Sequence, residues 1–559
     1  MIRRMTGLGY LLVFLMGSTG TAAAASSVGD FSYGQLGSAS VGMRGCGTNA
    51  AGEPAIRISP ESNVFLGSEL GLGAGSQLWR GLGSPGGPGA DGCGLEFRGE
   101  PNPGATAGGA DIDLAIAPDR GVDGTRTLYV ASLNGASVSV AHSSDNGQTF
   151  AGTGVQNGLP LDDREWIAAF GASGSLLTFT DQLTRNIDVL RSTDGGASYG
   201  QISQAIPSGD YRAAANQIGN LAIDPARGTA YQSFAAPSAP SGQTNNEVFV
   251  GVSTDRGASF TDQPIPCSTA GGGVDHNFPN VAVDGSTGRV WAAWSDDTNV
   301  ISAVSSDGGR TWKCSGPVST RSAHAVFPWL AARNGGADLV FYATPDTGAA
   351  GTWSVQFAQN VAGTPGGWAA PQQLMSVHTG TVCEAGASCS SQRQLLDDFG
   401  VDIDPAGWAH IAYSHDAPDL GGQGSYTGYA VQTGGVALSP AGSGATSASP
   451  GTAAPGTAGR PPTGAPSSRA TCKSRRIIVI RVSHPPRSRL RSVAVYVNGH
   501  RVRHGRSAAR VRIDLRSRPG STVRVVLVAR VQRGGHIVRV STPHTYHLCQ
   551  RRRPRRARR

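Results

Sequence analysis

"SSDNGQTF" at residues 143–150 is a small polar loop closed by one aromatic, and close copies of it recur as "STDGGASY" (192–199), "STDRGASF" (253–260) and "SSDGGRTW" (305–312). In such an octapeptide the Asp accepts hydrogen bonds from nearby backbone N–H groups, and the Gly takes a positive φ without steric cost. The closing aromatic supplies apolar area that packs under the turn. Asp145, Asp194, Asp255 and Asp307 therefore read as hairpin locks, and their spacings of 49, 61 and 52 residues measure a repeating unit.

Around these turns the chain repeats in a fixed order. Each unit opens on a short apolar strand: "AIRISP", "DIDLAIAP", "REWIAAF", "IGNLAIDP", "FPNVAVDG", "VFPWLAARN", "DFGVDIDP". A second strand follows: "NVFLGSEL", "TLYVASL", "LLTFTD", "TAYQSF", "RVWAAWSD", "LVFYATPD", "AHIAYSHD". Strand-length apolar runs with turn chemistry at regular intervals make this an all-β chain, and a unit of about 50 residues carrying about four strands is a β-propeller blade. Seven blades are expected, with six as the alternative if one unit is decoration. The seventh lacks a fourth strand of its own, and the segment 26–53 is expected to supply it.

Composition agrees. Eighty glycines, 33 prolines and 15% charged residues in 559 positions disfavour long amphipathic helices. Arg3 and Arg4, an apolar run and "TAAAA" read as a signal peptide over residues 1–25, with small-residue cleavage sites near Ala23–Ala25. No second apolar run is long enough to span a bilayer. Eight cysteines in an exported chain suggest disulfides, and spacing suggests Cys46 with Cys93, Cys267 with Cys314, Cys383 with Cys389 and Cys472 with Cys549. Without a C-x-x-C motif, no structural zinc site and no catalytic Cys are expected.

The propeller is placed at 26–435, followed by a Pro/Gly/Ser/Ala-rich linker at 436–470. Residues 471–549 alternate apolar and basic positions with period two, which predicts a small β-sandwich, and "NG" at Asn498 and Gly499 signals a hairpin. "RRRPRRARR" then ends the chain over 550–559 as a disordered tail. Residues 471–559 hold 25 Lys and Arg against the single acid Asp514, whereas residues 26–435 hold 18 basic residues against 37 acids. An acidic body is joined to a basic tail.

The four octapeptides resemble the Asp-box, or BNR-repeat, propellers of the sialidase superfamily, over roughly residues 50–435. The resemblance implies boxes at the blade periphery, away from any substrate. The C-terminal unit resembles the immunoglobulin-like sandwiches appended to secreted bacterial proteins. For catalysis the sialidase resemblance implies three arginines clamping a substrate carboxylate, a Tyr nucleophile paired with a Glu, and an acidic proton donor. Arg57 in "AIRISP" matches the family's first arginine, although Ser59 interrupts its Arg-Ile-Pro motif. Arg164, Arg321 and Arg393 stand near the starts of blades and are candidate substitutes, Tyr413 is a candidate nucleophile, and Glu165 is a candidate carboxyl.

Propellers bind at the mouth of the central channel, among the loops leading into each innermost strand. Those loops hold Asp111, Asp113, Asp163, Arg164, Glu165, Asp275, His276, His324, Asp397 and Asp398 as binding-face candidates. Such a set suits sugar hydroxyls or a hard cation such as Ca2+, and no other cofactor is implied. The expected function is secreted glycan or polymer binding at or near the cell surface, with exo-sialidase or a related glycoside hydrolase as the alternative. The basic region is expected to favour anionic envelope polymers, without specific nucleic-acid reading.

Overall fold

A computed structural model describes residues 29–71, 73–101, 110–134, 137–155, 162–276, 278–319, 322–346, 351–384, 389, 391–416, 424–439, 477–481, 489–497, 500–506, 510–514, 522–533 and 536–547. The expected signal peptide, the residues of the linker from 440 onward, the Asn498–Gly499 hairpin, the Cys472–Cys549 pair and the Arg-rich tail lie outside them.

Seven four-stranded antiparallel sheets are arranged as blades. Blade 1 comprises β2 (Gly52–Ile58), β3 (Val64–Glu69), β4 (Ser76–Gly81) and β5 (Glu96–Gly99). Blade 2 comprises β6 (Ile112–Ile116), β7 (Leu128–Asn134), β8 (Ser137–Ser143) and β9 (Ala151–Val155). Blade 3 comprises β10 (Asp162–Phe170), β11 (Gly174–Asp181), β12 (Ile187–Ser192) and β13 (Gly200–Gln204). Blade 4 comprises β14 (Gln217–Ile223), β15 (Ala230–Ala236), β16 (Glu247–Ser253) and β17 (Thr261–Pro264). Blade 5 comprises β18 (Asn280–Asp284), β19 (Arg289–Ser295), β20 (Val300–Ser305) and β21 (Lys313–Pro317). Blade 6 comprises β22 (His324–Arg333), β23 (Gly336–Thr344), β24 (Thr352–Asn360) and β25 (Gln372–Thr379). Blade 7 takes β26 (Gly400–Ile403), β27 (Ala409–His415) and β28 (Tyr426–Gln432) from the end of the repeat and β1 (Phe31–Gln35) from its beginning.

The first strand thus completes the last blade, pairing antiparallel from Phe31 opposite Gln432 to Gln35 opposite Gly428. Each innermost strand neighbours the next around the ring, and β26 neighbours β2. Four side chains clasp these neighbours. Asp113 Oδ2 accepts the N–H of Ile167 at 3.0 Å, Asn220 Oδ1 that of Val281 at 2.6 Å, Asn280 Oδ1 that of Leu330 at 2.8 Å, and Asp402 Oδ2 that of Ile58 at 2.7 Å. In every blade the innermost strand is an edge strand of its sheet, and the clasps satisfy backbone donors on that edge that would otherwise be buried unpaired.

All four octapeptides join the third strand of a blade to the fourth, with one hydrogen-bond scheme. In the second, Ser192 Oγ donates to Asp194 Oδ1 at 2.8 Å, Asp194 Oδ1 accepts the N–H of Ser198 at 3.0 Å, and its Oδ2 accepts the Ser198 hydroxyl at 2.6 Å. Asp145, Asp255 and Asp307 repeat these contacts. Hydrogen bonds to the carboxylate push Asp194 and Asp307 down to about 2. Each turn also touches the preceding blade. Gly196, at φ 90°, lies against Tyr129 of β7, and Tyr199 packs into the core shared by blades 2 and 3.

The disulfides Cys46–Cys93, Cys267–Cys314 and Cys383–Cys389 are formed. Packing continues past Gly435, because Leu438 is buried in the propeller core and its N–H donates to Gly407 C=O at 2.8 Å. The chain divides into two compact units at Pro450. The second holds a four-stranded sheet in the order β31 (His500–Arg506), β30 (Arg489–Val497), β33 (Thr522–Arg533), β34 (His536–His547), and a pair formed by β29 (Ile477–Arg481) and β32 (Arg510–Asp514).

Candidate binding site at the channel mouth

The innermost strands start at one end of the ring, and four of them start with a backbone irregularity. β2, β10, β14 and β22 are bulged between Gly52 and Ala55, Asp163 and Trp166, Ile218 and Leu221, and Val326 and Trp329. At equivalent positions of three of these bulges, Glu53, Arg164 and Phe327 adopt φ values of 49°, 54° and 57°. A non-glycine residue in this region stores strain of order 1 kcal/mol or more, and a bulge re-aims the side chain it carries.

Arg164 is the centre of the resulting cluster. Its guanidinium lies over the rings of both Trp166 (4.9 Å) and Phe278 (4.5 Å), which meet edge to face. Nη1 is 3.1 Å from Asp111 Oδ2, and Nη2 is 3.0 Å from Asp398 Oδ2 and 3.7 Å from Glu53 Oε1. Glu53 Oε1 in turn accepts the N–H of Asp397 at 2.8 Å. Arg57 pairs with Asp113 at 2.8 Å, and Arg393 pairs with Asp397. Three arginines therefore meet Glu53, Asp111, Asp113, Asp397 and Asp398, and Glu69, Asp163 and Glu165 lie within electrostatic reach of Arg164.

So many carboxyls cannot all ionise in a partly dry mouth. Burial, reinforced by Asp111, raises Glu53 well above the usual carboxylate range and Glu69 to about 7. Burial also carries Asp398 to about 7, Asp111 and Asp397 adding to the rise while Arg164 opposes it. Glu165, 1% exposed, makes no hydrogen bond through its carboxyl among the described residues, and burial with Asp111 raises it well above its ordinary value. At neutral pH the mouth holds ionised carboxylates beside carboxylic acids, a mixture that can both accept and donate hydrogen bonds.

The candidates from sequence separate into three groups. Asp111, Arg164, Glu165, Asp397 and Asp398 converge on the mouth; Asp113 is there as the clasp to Ile167 and partner of Arg57; Asp163 is exposed, its Oδ2 accepting from Gln182 at 2.9 Å. Asp275, His276 and His324 lie toward blades 4 to 6. Asp275 accepts from Asn245 at 3.0 Å, His276 Nδ1 is 2.6 Å from Glu384 Oε2, and His324 Nδ1 is 2.7 Å from Asp297 Oδ1. Tyr413 sits on β27, 4% exposed within the core, where burial raises its hydroxyl above the ordinary value. Arg321 lies outside the described residues. Sequence reasoning missed Glu53, Glu69, Asp297 and Glu384. For Glu53 the signal is structural: the bulge registers align Ala55 with Trp166 and so place Glu53 at the position of Arg164.

No family model matches this chain, and no curated protein matches it. Among solved structures, the GH74 xyloglucanase of Xanthomonas campestris is similar at 14% identity with a TM-score of 0.40, over 71% of this chain and 55% of that one. The chain thus spans about half of the xyloglucanase. A mutant Aleuria aurantia lectin in complex with Fucα1-6GlcNAc is 14% identical over 60% of this chain and 99% of that one, with a TM-score of 0.37. The intramolecular trans-sialidase of Ruminococcus gnavus, in complex with oseltamivir carboxylate, is 11% identical over 69% of this chain and 95% of that one, with a TM-score of 0.34. The present chain is an all-β, seven-bladed propeller with such sialidase, hydrolase and lectin propellers among its structural neighbours.

Proposed function

We propose that the propeller binds carbohydrate at its channel mouth, and that the sugar it takes is uncharged or basic. One observation carries this reading: Arg57, Arg164 and Arg393 are each already paired with carboxylates, and carboxyls outnumber them. An anionic sugar would meet a surplus of acidic groups and, among these three, no guanidinium without an ion-pair partner, whereas hydroxyls find acceptors in the oxygens of Asp111 and Asp397 and a donor in Glu165, whose carboxyl burial biases toward the protonated form. This reading disfavours the exo-sialidase alternative, whose three-arginine clamp needs free guanidiniums.

The test is calorimetric titration and array binding of the full-length secreted protein with neutral, amino and sialylated glycans. Saturable binding of neutral or amino glycans, weakened about tenfold or more in Asp111→Asn, supports the reading. Preference for sialylated glycans over both overturns it.

A second reading is glycoside hydrolysis by a carboxyl pair, favoured by Asp398, which burial raises to about 7 close to the Asp111 and Asp397 carboxyls. Release of free sugar that disappears in Asp398→Asn distinguishes it from binding alone.

We further read the octapeptides as Asp-boxes in a structural role, the C-terminal unit as an immunoglobulin-like module, and the protein as extracellular. The disulfides are in keeping with that location, and no helix among the described residues is long and apolar enough to cross a membrane. The basic C-terminal region supplies electrostatic attachment to anionic envelope polymers. Elution from cell envelopes by salt, compared with a chain ending at Pro450, tests this attachment; equal retention of the two dismisses it.

A further inference from the structure

Four residues far apart in sequence meet beside the mouth without belonging to the arginine cluster. His276 precedes β18, Asp297 sits in the turn between β19 and β20, His324 begins β22, and Glu384 lies in the connection from β25 to β26. One ring nitrogen of His276 and one carboxylate oxygen from each of Asp297 and Glu384 all lie within 4.8 Å of one another. His324 completes the group through its 2.7 Å contact with Asp297. The side chains of His276, Glu384, His324 and Asp297 are 27%, 21%, 33% and 35% exposed, so solvent reaches all four.

Each member is fixed by its backbone. His276 C=O accepts the N–H of Phe327, itself in the β22 bulge, at 3.1 Å. Asp297 adopts φ 74°, its N–H donates to Ser295 Oγ at 2.9 Å, and its C=O accepts the N–H of Ala325 at 2.6 Å. The His324 ring stacks on Trp353 at 6.0 Å, and the indole N–H of Trp353 donates to Gly380 C=O at 2.9 Å. Glu384 directly follows Cys383, whose disulfide to Cys389 closes a loop with a sequence separation of six, and the Cys383 N–H donates to Gln392 C=O at 2.9 Å. Exposed His–carboxylate pairs contribute little to stability, so two such pairs do not by themselves account for strained backbone and a disulfide converging on one spot.

The donor chemistry selects the ligand. Imidazole with carboxylate suits zinc and its neighbours, whereas Ca2+ prefers oxygen alone. The all-oxygen group Glu53, Glu69 and Asp111 also draws together, but the Arg164 guanidinium 3.1 Å from Asp111 already supplies a cation there.

We propose that His276, Asp297 and Glu384 bind one divalent transition-metal ion of the zinc class, with His324 orienting Asp297 from outside. Ligand atoms about 2 Å from a tetrahedral ion stand about 3.3 Å apart. Coordination therefore requires Glu384 to turn slightly away from its 2.6 Å contact with His276 and Asp297 to close toward both. The fourth coordination position faces solvent. The ion ties blade 5 to the disulfide-closed loop that leads on to Arg393, Asp397 and Asp398.

The test uses the full-length, disulfide-intact protein, stripped with chelator and titrated with ZnCl2 by calorimetry and with CoCl2 by visible absorption. One equivalent of Zn2+ is expected, with a Co2+ spectrum of low coordination number. His276→Ala and Glu384→Gln should each weaken binding by more than about tenfold, His324→Ala by about tenfold, and Glu53→Gln should leave it unchanged. Glu384→Gln is isosteric and part-exposed, and its melting temperature in chelator should equal that of the wild type. Absence of stoichiometric Zn2+ binding, binding undiminished in His276→Ala and Glu384→Gln, or loss of binding in Glu53→Gln overturns the assignment. None of these outcomes depends on whether the mouth takes sugar.

Discussion

Arg164 of blade 3 reaches Asp398 of blade 7 at 3.0 Å, joining two blades that are not neighbours in the ring. The same guanidinium is 3.1 Å from Asp111 and close to Glu53, so one buried cation compensates carboxyls from blades 1, 2 and 7. Removing it leaves these acids without the guanidinium that contacts them, with Arg393 as the remaining nearby cation. Arg164→Met should destabilise the propeller by about 3–5 kcal/mol at pH 7.5, the usual cost of stripping one partner from a buried ion pair. At pH 5 the orphaned carboxyls can take up protons, and the loss should shrink. Denaturant melts of both proteins at the two pH values check this; a loss that is equal at both pH values counts against charge compensation as the role of Arg164.

The mouth should also shape stability against pH in the wild type. Glu69 and Asp398, raised to about 7, bind protons more tightly in the folded than in the unfolded chain. Their contribution is fully present below the unfolded value near 4 and is lost as pH rises through about 7, with a slope of order 1 kcal/mol per pH unit for each group. Asp194 and Asp307, lowered to about 2, act in the opposite sense, since their contribution is present above about 4 and lost as pH falls toward 2. The melting temperature should therefore peak between about pH 4 and 5 and decline toward pH 8. Glu69→Gln combined with Asp398→Asn should make the decline between pH 5 and 8 shallower while sparing the acid limb, with the raised Glu53, Glu165, Asp162 and Asp338 supplying the remainder. A decline that survives the double substitution unchanged refutes the assignment.

Much of the propeller was legible because its repeating signals are local. The seven opening motifs, from "AIRISP" to "DFGVDIDP", mark the innermost strands β2, β6, β10, β14, β18, β22 and β26, and the octapeptides mark four of the outer hairpins. The closing strand β1 could be expected because the last unit was one strand short. The candidate site was legible in part. Asp397 and Asp398 stand out as a polar pair before an apolar strand, but Glu53 is surrounded by Gly52 and Pro54 and gains meaning only through the bulge that aligns it with Arg164. Asp297 and Glu384 were invisible for another reason. Each sits in an ordinary-looking turn, and their proximity to His276 depends on how blades 5 and 6 are placed in three dimensions.

The octapeptide turns give a third expectation. Gly196 holds φ 90°, and a Cβ there would stand 3.1 Å from Tyr129 Cε1 and 3.2 Å from His142 Cβ on the preceding blade. Gly196→Ala combines an unfavourable backbone region with a crowded contact and should cost about 1–3 kcal/mol. Asp194→Asn keeps an acceptor at Oδ1, although the amide nitrogen cannot accept from the Ser198 hydroxyl, and should cost less. Both changes lie on the outer hairpin of blade 3, so glycan affinity at the mouth should be unchanged. Thermal melts paired with binding titrations check the point, and loss of binding in folded Asp194→Asn would show that the turn takes part in recognition.

The closing strand supplies the last expectation. β1 completes blade 7 as its outermost strand, and the chain that follows crosses to blade 1, where Leu36 bridges Cys46 and Arg44 bridges Glu96. Cys46–Cys93, with a sequence separation of 47, fastens this crossing, whereas Cys383–Cys389 closes a loop of only six. Loop-closure entropy assigns about 4 kcal/mol to the first and about 2 kcal/mol to the second. Replacing Cys46 and Cys93 by Ser should therefore lower the melting temperature more than replacing Cys383 and Cys389. It should also speed hydrogen exchange in β1 and β28 selectively, since Phe31–Gln35 is an outermost strand that pairs with β28 alone among the strands. Exchange that accelerates evenly over all seven blades would mean that the ring opens somewhere other than at this junction.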